Sequence, residues 1–481
     1  MDTPRSKMTT DIPASILTPD SVETRLGTLR FFDGFPDEET VRKAYDNLDF
    51  QRAVQVFLTT VQAATLHTER ATCRSCGPDN RTVLITESLL DSRSLYTLDN
   101  AEVMYNVIWL DTRDGALVLE IPPNVLGFIN DFWSRWVTDV GRPGPDGGAG
   151  GRYLLLPPGH SGEVPDGYTV LRSRTWGNKL LFRTFYEDGD LGPAIENAKR
   201  NFRVYPLAAA EGDRPELTFV DVSGSLFSNV PNSDVSFFSD IADVVHDEPL
   251  EAVDPETRGL LASIGIRRDA PFAPDARMQA ILVEAAAVGN ATARALFYAT
   301  RDRAGYYYPD GWWQIGFIGG DPGFSPGGLL DLDARTILCF ATQGVSPAMS
   351  LEMVGVGSQY AYICHDAEGA YLDGGRSYRL HLPPDVPVKE FWAVTVYDPQ
   401  TRGMLPTEQV LPEVSSHMPG TVINPDTSAD VYFGPEAPPG HESNWIQTVP
   451  GRGWFAIMRL YAPLEPWFDK TWRPGEIEPI G

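Results

Sequence analysis

Apolar residues change their spacing several times along this chain, and each change predicts a different element. From Val41 they fall at helical spacing: Val41, Ala44, Tyr45, Leu48. The pattern then shifts phase to Phe50, Ala53, Val54, Phe57, Leu58 and Val61. Each set follows i, i+3, i+4, i+7, which predicts one buried helical face per set. The shift at Asn47–Asp49 predicts two helices or one kinked helix, with Asp49 placed to cap the second. From residue 83 short β-type runs take over: Val83–Thr86, Met104–Leu110, Ala116–Ile121, Tyr153–Leu156, Tyr168–Leu171 and Leu180–Phe185. Gly and Pro punctuate them, which predicts an antiparallel sandwich or barrel. Gly141–Gly151 reads as a mobile hairpin loop, and Leu191–Arg203 as a helix closing the unit.

Residues 240–300 return to helical spacing. Met278, Ile281, Leu282 and Ala285 share a face, and Gly289–Asn290 reads as a stop before a further short helix. Gly305–Gly328 is rich in Gly and aromatics without either period. It is either an aromatic loop packed under a sheet or a loop lining a ligand, since concave sites need aromatic walls. From Thr336 the β signal resumes, with strands expected at Tyr378–Leu382, Phe391–Tyr397, Val431–Phe433, Asn444–Thr448 and Trp454–Tyr461. No fixed-period repeat is seen. The expected fold is α+β, mainly β with helical segments: two antiparallel β-sandwich or jelly-roll-like domains joined by a helical region. Its expected divisions are an arm or tail at 1–35, a helical hairpin plus β-rich domain at 36–235, a helical and aromatic-loop connector at 236–335, and a β-sandwich at 336–481.

Composition narrows the function classes. At about 150 residues per domain, 481 residues make two or three domains. Aromatics at 11%, with 11 Trp, supply apolar area that a disordered chain lacks. Lys and Arg total 39 against 65 Asp and Glu, a formal charge of −26. Such a charge repels a phosphate backbone and anionic lipid, so no nucleic-acid partner is expected. No run of about 18 apolar residues occurs, so no membrane span is expected. Met1–Thr10 is polar, so a cytoplasmic location is expected, or a periplasmic or secreted one if a leader was removed. Cys73 and Cys76 form a lone C-x-x-C without a second close pair, and all four cysteines read as reduced and structural. The common signatures G-x-S-x-G, G-x-x-x-x-G-K-[ST], H-E-x-x-H and G-x-G-x-x-G are absent.

Two stretches carry a resemblance. The first runs Leu98-Asp99-Asn100-Ala101-Glu102-Val103-Met104-Tyr105, then Trp109-Leu110-Asp111, Leu119-Glu120-Ile121-Pro122, Phe132-Trp133 and Gly141. The second begins at Phe391-Trp392-Ala393-Val394-Thr395-Val396-Tyr397-Asp398. It continues through Asn424-Pro425-Asp426, Glu442-Ser443-Asn444-Trp445 and Met458-Arg459-Leu460-Tyr461-Ala462-Pro463 to Trp472-Arg473-Pro474. Together they resemble the paired domain-of-unknown-function families 1254 (N-terminal) and 1214 (C-terminal) over roughly residues 40–480. The resemblance implies β-rich two-domain proteins, many bacterial and some exported, without an established activity or cofactor. It also implies Asp-Thr where this chain has Glu102 and Val103. Asn100, Tyr105 and Asp111 match the family's motif.

Asn100, Glu102 and Tyr105 form the first candidate constellation. On a strand, 100 and 102 share a face and 105 takes the other, so a bulge or turn is needed to unite them. Glu102 is either a general base or metal ligand, or a solvated carboxylate beside a turn. His160, in a Gly- and Pro-rich loop after a strand, is a candidate acid–base group. Phe455, Ile457 and Arg459 share a face by alternation, and a buried Arg there needs a carboxylate or an anionic ligand. Arg459 and Asn444-Trp445 are expected on neighbouring strands.

These readings converge on an enzyme that hydrolyses a small organic molecule or eliminates from it, in a cleft between β domains. Glu102, His160 and Tyr105 are expected to be catalytic. Asn100, Trp312, Trp313, Tyr397, Asn444, Trp445 and Arg459 are expected to bind substrate. Cofactor and metal are unassigned; a metal would draw first on Glu102, Asp111, His160 and His365. The rival is a non-catalytic carbohydrate-binding protein using exposed Trp and Tyr platforms. A third reading is a structural homo-oligomer joined through sheet edges.

Overall fold

The computed structural model describes residues 10–186, 189–342 and 344–480. The first nine residues of the expected arm lie outside them. The rest of the arm is a small antiparallel sheet rather than a tail, formed by β1 (Ser21–Thr24), β2 (Gly27–Phe32) and β3 (Phe35–Pro36). It leads into α1 (Glu38–Cys76), which the Asp37 carboxylate caps by accepting the Thr40 N–H at 2.7 Å.

This helix is continuous across Asn47–Asp49, contrary to expectation. The first apolar set is not a buried face, for Val41, Tyr45 and Leu48 are exposed. The phase shift instead marks where the helix enters the protein: Ala53, Val56, Phe57 and Val61 are buried. Asp49 does not cap a second helix; it binds Arg277 at 2.7 Å.

The N-terminal sandwich comprises β4 (Thr82–Ile85), β5 (Met104–Asp111), β6 (Leu117–Ile121), β7 (Val125–Asp131), β8 (Trp136–Gly141), β9 (Gly151–Leu156), β10 (Thr169–Arg172), β11 (Gly177–Thr184), α2 (Gly192–Asn201), β12 (Arg203–Pro206) and β13 (Thr218–Asp221). Its sheets run β13-β4-β5-β11-β7-β8 and β10-β9-β6-β12. Most pairings are antiparallel, with β13–β4 and β10–β9 parallel. Period-two alternation sorts the core. Met104, Ile108 and Leu110 face Leu119, Tyr153 and Leu155 between the sheets, while Tyr105, Val107 and Trp109 face the helices. Gly141–Gly151 is a crossover between the two sheets rather than a hairpin loop. The Asp146 carboxylate pins it, accepting the Gly141 N–H at 2.8 Å and the Tyr153 hydroxyl at 2.5 Å.

The helical group follows: α3 (Ser236–Asp247), α4 (Pro255–Ser263), α5 (Ala276–Tyr298), α6 (Leu332–Ala341) and the single turn α7 (Pro347–Ser350). The expected stop at Gly289 does not occur. A Cβ there would lie 2.6 Å from the Phe57 ring, so the glycine lets α5 lie close against α1. By length and mean hydropathy α5 is apolar enough to cross a bilayer; in this fold it packs Leu282, Ala285, Ala293 and Phe297 into the core. Residues 332–341 are helical, so the returning β signal begins later than Thr336.

The C-terminal sandwich comprises β14 (Ser358–Ile363), β15 (Ser377–Leu382), β16 (Trp392–Tyr397), β17 (Glu413–Ser415), β18 (Ala429–Gly434), β19 (Trp445–Gln447), β20 (Phe455–Tyr461), the turn α8 (Glu465–Phe468) and β21 (Ile477–Ile480). Its sheets are β14-β20-β16-β17 and β19-β18-β15-β21. Ile363, Val394 and Met458 meet Leu380, Val431 and Phe433 between them. The outer face of β14-β20-β16-β17 carries Tyr362, Phe455, Ile457 and Tyr461 into the same core as the helices and the outer face of the six-stranded sheet. The fold is therefore α+β, two β-sandwiches meeting over a helical group.

Candidate functional site

Where the two outer sheet faces meet, they enclose a cavity of about 550 Å³. That is the size of a metabolite site. Phe128 and Leu181 line it from the N-terminal sandwich, Tyr362 and Ile457 from the C-terminal one, and Phe317 and Leu338 from the segment between. Its polar end is formed by Asp99, Asn100, Tyr105, Arg183, Tyr360 and Arg459.

The 97–103 segment turns rather than extends, and this unites the first constellation. The Asn100 side-chain oxygen accepts the Glu102 N–H at 3.2 Å, and its amide donates to the Tyr461 hydroxyl at 2.7 Å. Asn100 and Tyr105 both line the cavity. Glu102 is 2% exposed and lies behind that lining, facing Glu413. Burial and the Glu413 carboxyl push Glu102 well above the usual carboxylate range, and burial pushes Glu413 up as well. Both carboxyls are thereby favoured in their neutral form.

Arg459 is buried on the face that alternation predicts, but no carboxylate pairs with it within 4 Å among the described residues. Its guanidinium donates to Thr395 Oγ1 at 2.8 Å, Leu98 O at 2.7 Å, Asp99 O at 3.3 Å and Tyr397 Oη at 2.5 Å. Tyr397 in turn donates to the Asp99 carbonyl. Arg459 and Tyr397 thus tie the C-terminal sandwich to the backbone that presents Asp99. Asp99 is 4% exposed, and its Oδ2 has no hydrogen-bond partner among the described residues. Burial pushes its carboxyl well above the usual range, against the pull of Lys179, Arg183 and Arg459.

Other candidates lie elsewhere. His160 is on the turn after β9, across the sandwich core from the cavity, and does not meet Glu102. Trp313 is fully buried, donating to Gly475 O at 2.9 Å, and Trp312 stacks on His365 at 4.8 Å. Neither lines the cavity, whereas Tyr306, Ile315 and Phe317 of the same segment do. Asn444 accepts the Val422 N–H and donates to Val422 O and Asp430 O, stapling a loop. Trp445 donates to Gly434 O. Both are remote from Arg459, because β19 and β20 lie in different sheets. Asp111 binds Arg70 at 2.6 Å. Among the described residues no three His, Cys, Asp or Glu side chains gather as a metal site.

Sequence reasoning missed Asp99, Arg183, Tyr360 and Glu413. Arg183 carried the signal that exposed Arg459, a single charge in an apolar strand, Leu180-Leu181-Phe182-Arg183. Asp99 stood within the first family stretch. Glu413 has no local signal, since only the packing of the C-terminal sandwich on the 97–103 segment brings it to Glu102.

No curated protein matches the sequence. The crystal structure of the VPA0106 protein from Vibrio parahaemolyticus superposes on 90% of this chain and 100% of its own, with a TM-score of 0.56 at 17% identity, so the fold is shared. An uncharacterised protein from Burkholderia cenocepacia covers 91% of this chain and 96% of its own, with a TM-score of 0.42 at 13% identity. Residues 81–206 match the family model described as protein of unknown function (DUF1254). Residues 357–465 match the one described as protein of unknown function (DUF1214). The polar end of the cavity draws Asp99, Asn100, Tyr105 and Arg183 from the first region and Tyr360 and Arg459 from the second. The chain thus carries a DUF1254 region in its N-terminal sandwich and a DUF1214 region in its C-terminal one.

Proposed function

We propose that this protein is an enzyme that acts on a small organic molecule held in the inter-sandwich cavity, by acid–base hydrolysis or elimination, with Asp99 as proton donor. The observation that carries this reading is Asp99 itself: a buried carboxyl with a partnerless oxygen, on the wall of a metabolite-sized cavity. A carboxyl kept protonated by burial is suited to general-acid chemistry. In hydrolysis its proton passes to the leaving oxygen as the bond to the substrate breaks, and the bonding pair stays on that oxygen. Water adds at the carbon so released and returns a proton to the Asp99 carboxylate. Arg459 and Tyr397 are positioning residues, because they hold the Leu98 and Asp99 carbonyls. Glu102 with Glu413 supports the wall from behind, and His160 has no part in this scheme.

Carbohydrate binding without catalysis has less support. Trp109, Trp133, Trp313, Trp392, Trp454, Trp467 and Trp472 are buried and Trp176, Trp312 and Trp445 half-buried, so Trp136 is the one exposed tryptophan platform among the described residues. The test is turnover of a panel of small esters, lactones and hydroxy acids. Asp99→Asn is expected to lower kcat by about 100-fold or more, and the wild-type rate to fall as pH rises and the acid deprotonates. An Asp99→Asn variant with undiminished kcat would sink the assignment.

A further inference from the structure

We infer that the cavity ligand is an organic monocarboxylate, with its carboxylate on the Arg183 guanidinium and Tyr360 hydroxyl and its apolar body against Phe128, Leu181, Phe297 and Ile457. This deepens the function proposed above and rests on it only in placing the ligand in the same cavity.

Arg183 is 9% exposed and lines the cavity. Its Nε is buried without a hydrogen-bond partner, and no carboxylate lies within 4 Å of it among the described residues. A buried charge left in that state is costly. Two other buried cations of the same layer are paired: Lys179 with Glu69 at 2.8 Å, and Arg70 with Asp79 and Asp111 at 2.7 and 2.6 Å. Tyr360, from the opposite sandwich, lines the same end beside Arg183, and among the described residues its hydroxyl has no other partner. A guanidinium fork and one hydroxyl donor match the two oxygens of a carboxylate. One unpaired guanidinium fork with one hydroxyl serves one carboxylate, so the ligand is placed as a monoanion. Access agrees with the sign: Arg303 and Lys470 are exposed where they line the cavity against one exposed carboxylate, Glu352, a net cationic rim on a chain of net charge −26.

The test is titration calorimetry with hexanoate, hexanamide and hexyl phosphate. Wild-type protein is expected to bind hexanoate about ten-fold or more tighter than hexanamide, and Arg183→Met to reduce hexanoate to the hexanamide level. Arg183→Lys is expected to recover part of the loss, and Tyr360→Phe to weaken hexanoate without weakening hexanamide. Equal binding of acid and amide overturns the inference. So does absence of hexanoate binding at millimolar concentration, or an Arg183→Met variant of wild-type affinity. Tighter binding of hexyl phosphate overturns it in favour of a phosphate head group. Asp99→Asn separates the two proposals. Hexanoate binding without turnover of any panel compound leaves this inference standing and the proposed reaction not. Turnover of a neutral substrate with a KM that Arg183→Met does not move does the reverse.

Discussion

One face of β11 holds two opposite solutions to the burial of a cation. At the Gly177 end, the Gly177 N–H donates to Glu248, and beside it Arg70 meets Asp79, Asp111 and Glu248 at 2.7, 2.6 and 3.5 Å. Two residues along, Lys179 binds Glu69 and Tyr96 at 2.8 Å each, and Tyr96 closes the triangle by donating to Glu69 at 2.7 Å. Four residues further, Arg183 is buried with no carboxylate within 4 Å among the described residues and opens onto the cavity. The strand, the face and the type of charge are the same. What differs is that the first end is completed within the chain and the second is not. Closed networks fix α1 to the six-stranded sheet; the open end is where a ligand would complete the pairing.

The largest effects should come from opening a closed network. Arg70→Met sets an apolar side chain among Asp79, Asp111 and Glu248, of which the first two keep Arg74 and Arg113 on their outer sides, and is expected to cost about 4–5 kcal/mol. Lys179→Met leaves the fully buried Glu69 with Tyr96 as its one close donor, and should cost about 3–4 kcal/mol. Denaturant unfolding of each variant measures both. A loss under about 1 kcal/mol in either would show that the closed end does not hold the fold.

The sequence foretold this layer unevenly, and for physical reasons. Period-two alternation is a local property, so the face of Arg459 could be read directly, and Arg183 could have been. Sandwich strands with mixed faces were harder. β7 contains Gly127 and ends in Asn130-Asp131, and it does not stand out as an apolar run. Gly289 reads locally as a helix stop, yet the demand for space beside Phe57 outweighs that preference. Glu102 was legible as a candidate from its motif, but not the carboxyl it faces, because Glu413 is 311 positions away in sequence and reaches it only through the packing of one sandwich on the other. His160 failed as a partner for the same reason: loop composition does not say which side of a sandwich a loop lies on.

A smaller effect sharpens the comparison through pH. Burial raises Glu248 from its ordinary 4.5 to about 7, since Asp79 and Asp111 already meet much of the Arg70 charge. The folded protein holds that proton more tightly than the unfolded chain does. The stability it contributes is therefore fully present below about pH 4.5 and is lost as pH rises through about 7. At ~1.4 kcal/mol per unit the loss is about 3 kcal/mol. Glu248→Gln keeps one acceptor, at the oxygen that both the Trp176 and Gly177 N–H groups reach, and cannot ionise, so its stability should lack that decline. Parallel stability–pH curves for the two proteins would show that the network is insensitive to this carboxyl.

The smallest expected change in stability belongs to Arg183→Met, and that near-absence is what the comparison most needs. If Arg183 belonged to a closed network, its removal would cost several kcal/mol, as for Lys179 on the same face. Because no carboxylate is stranded by its loss, and methionine fills similar space, the variant should match wild type or gain about 1 kcal/mol in stability. Ligand affinity should fall all the same. The same reasoning fixes the response to ligand: a molecule that pairs with Arg183 stabilises the wild-type fold by mass action and leaves Arg183→Met unmoved. Thermal unfolding of both proteins, with and without hexanoate, reads the two terms together. A variant that melts far below wild type would place Arg183 among the structural cations and erase the distinction between the two ends of β11. A variant that melts with wild type but no longer shifts with hexanoate would fix that distinction at one side chain.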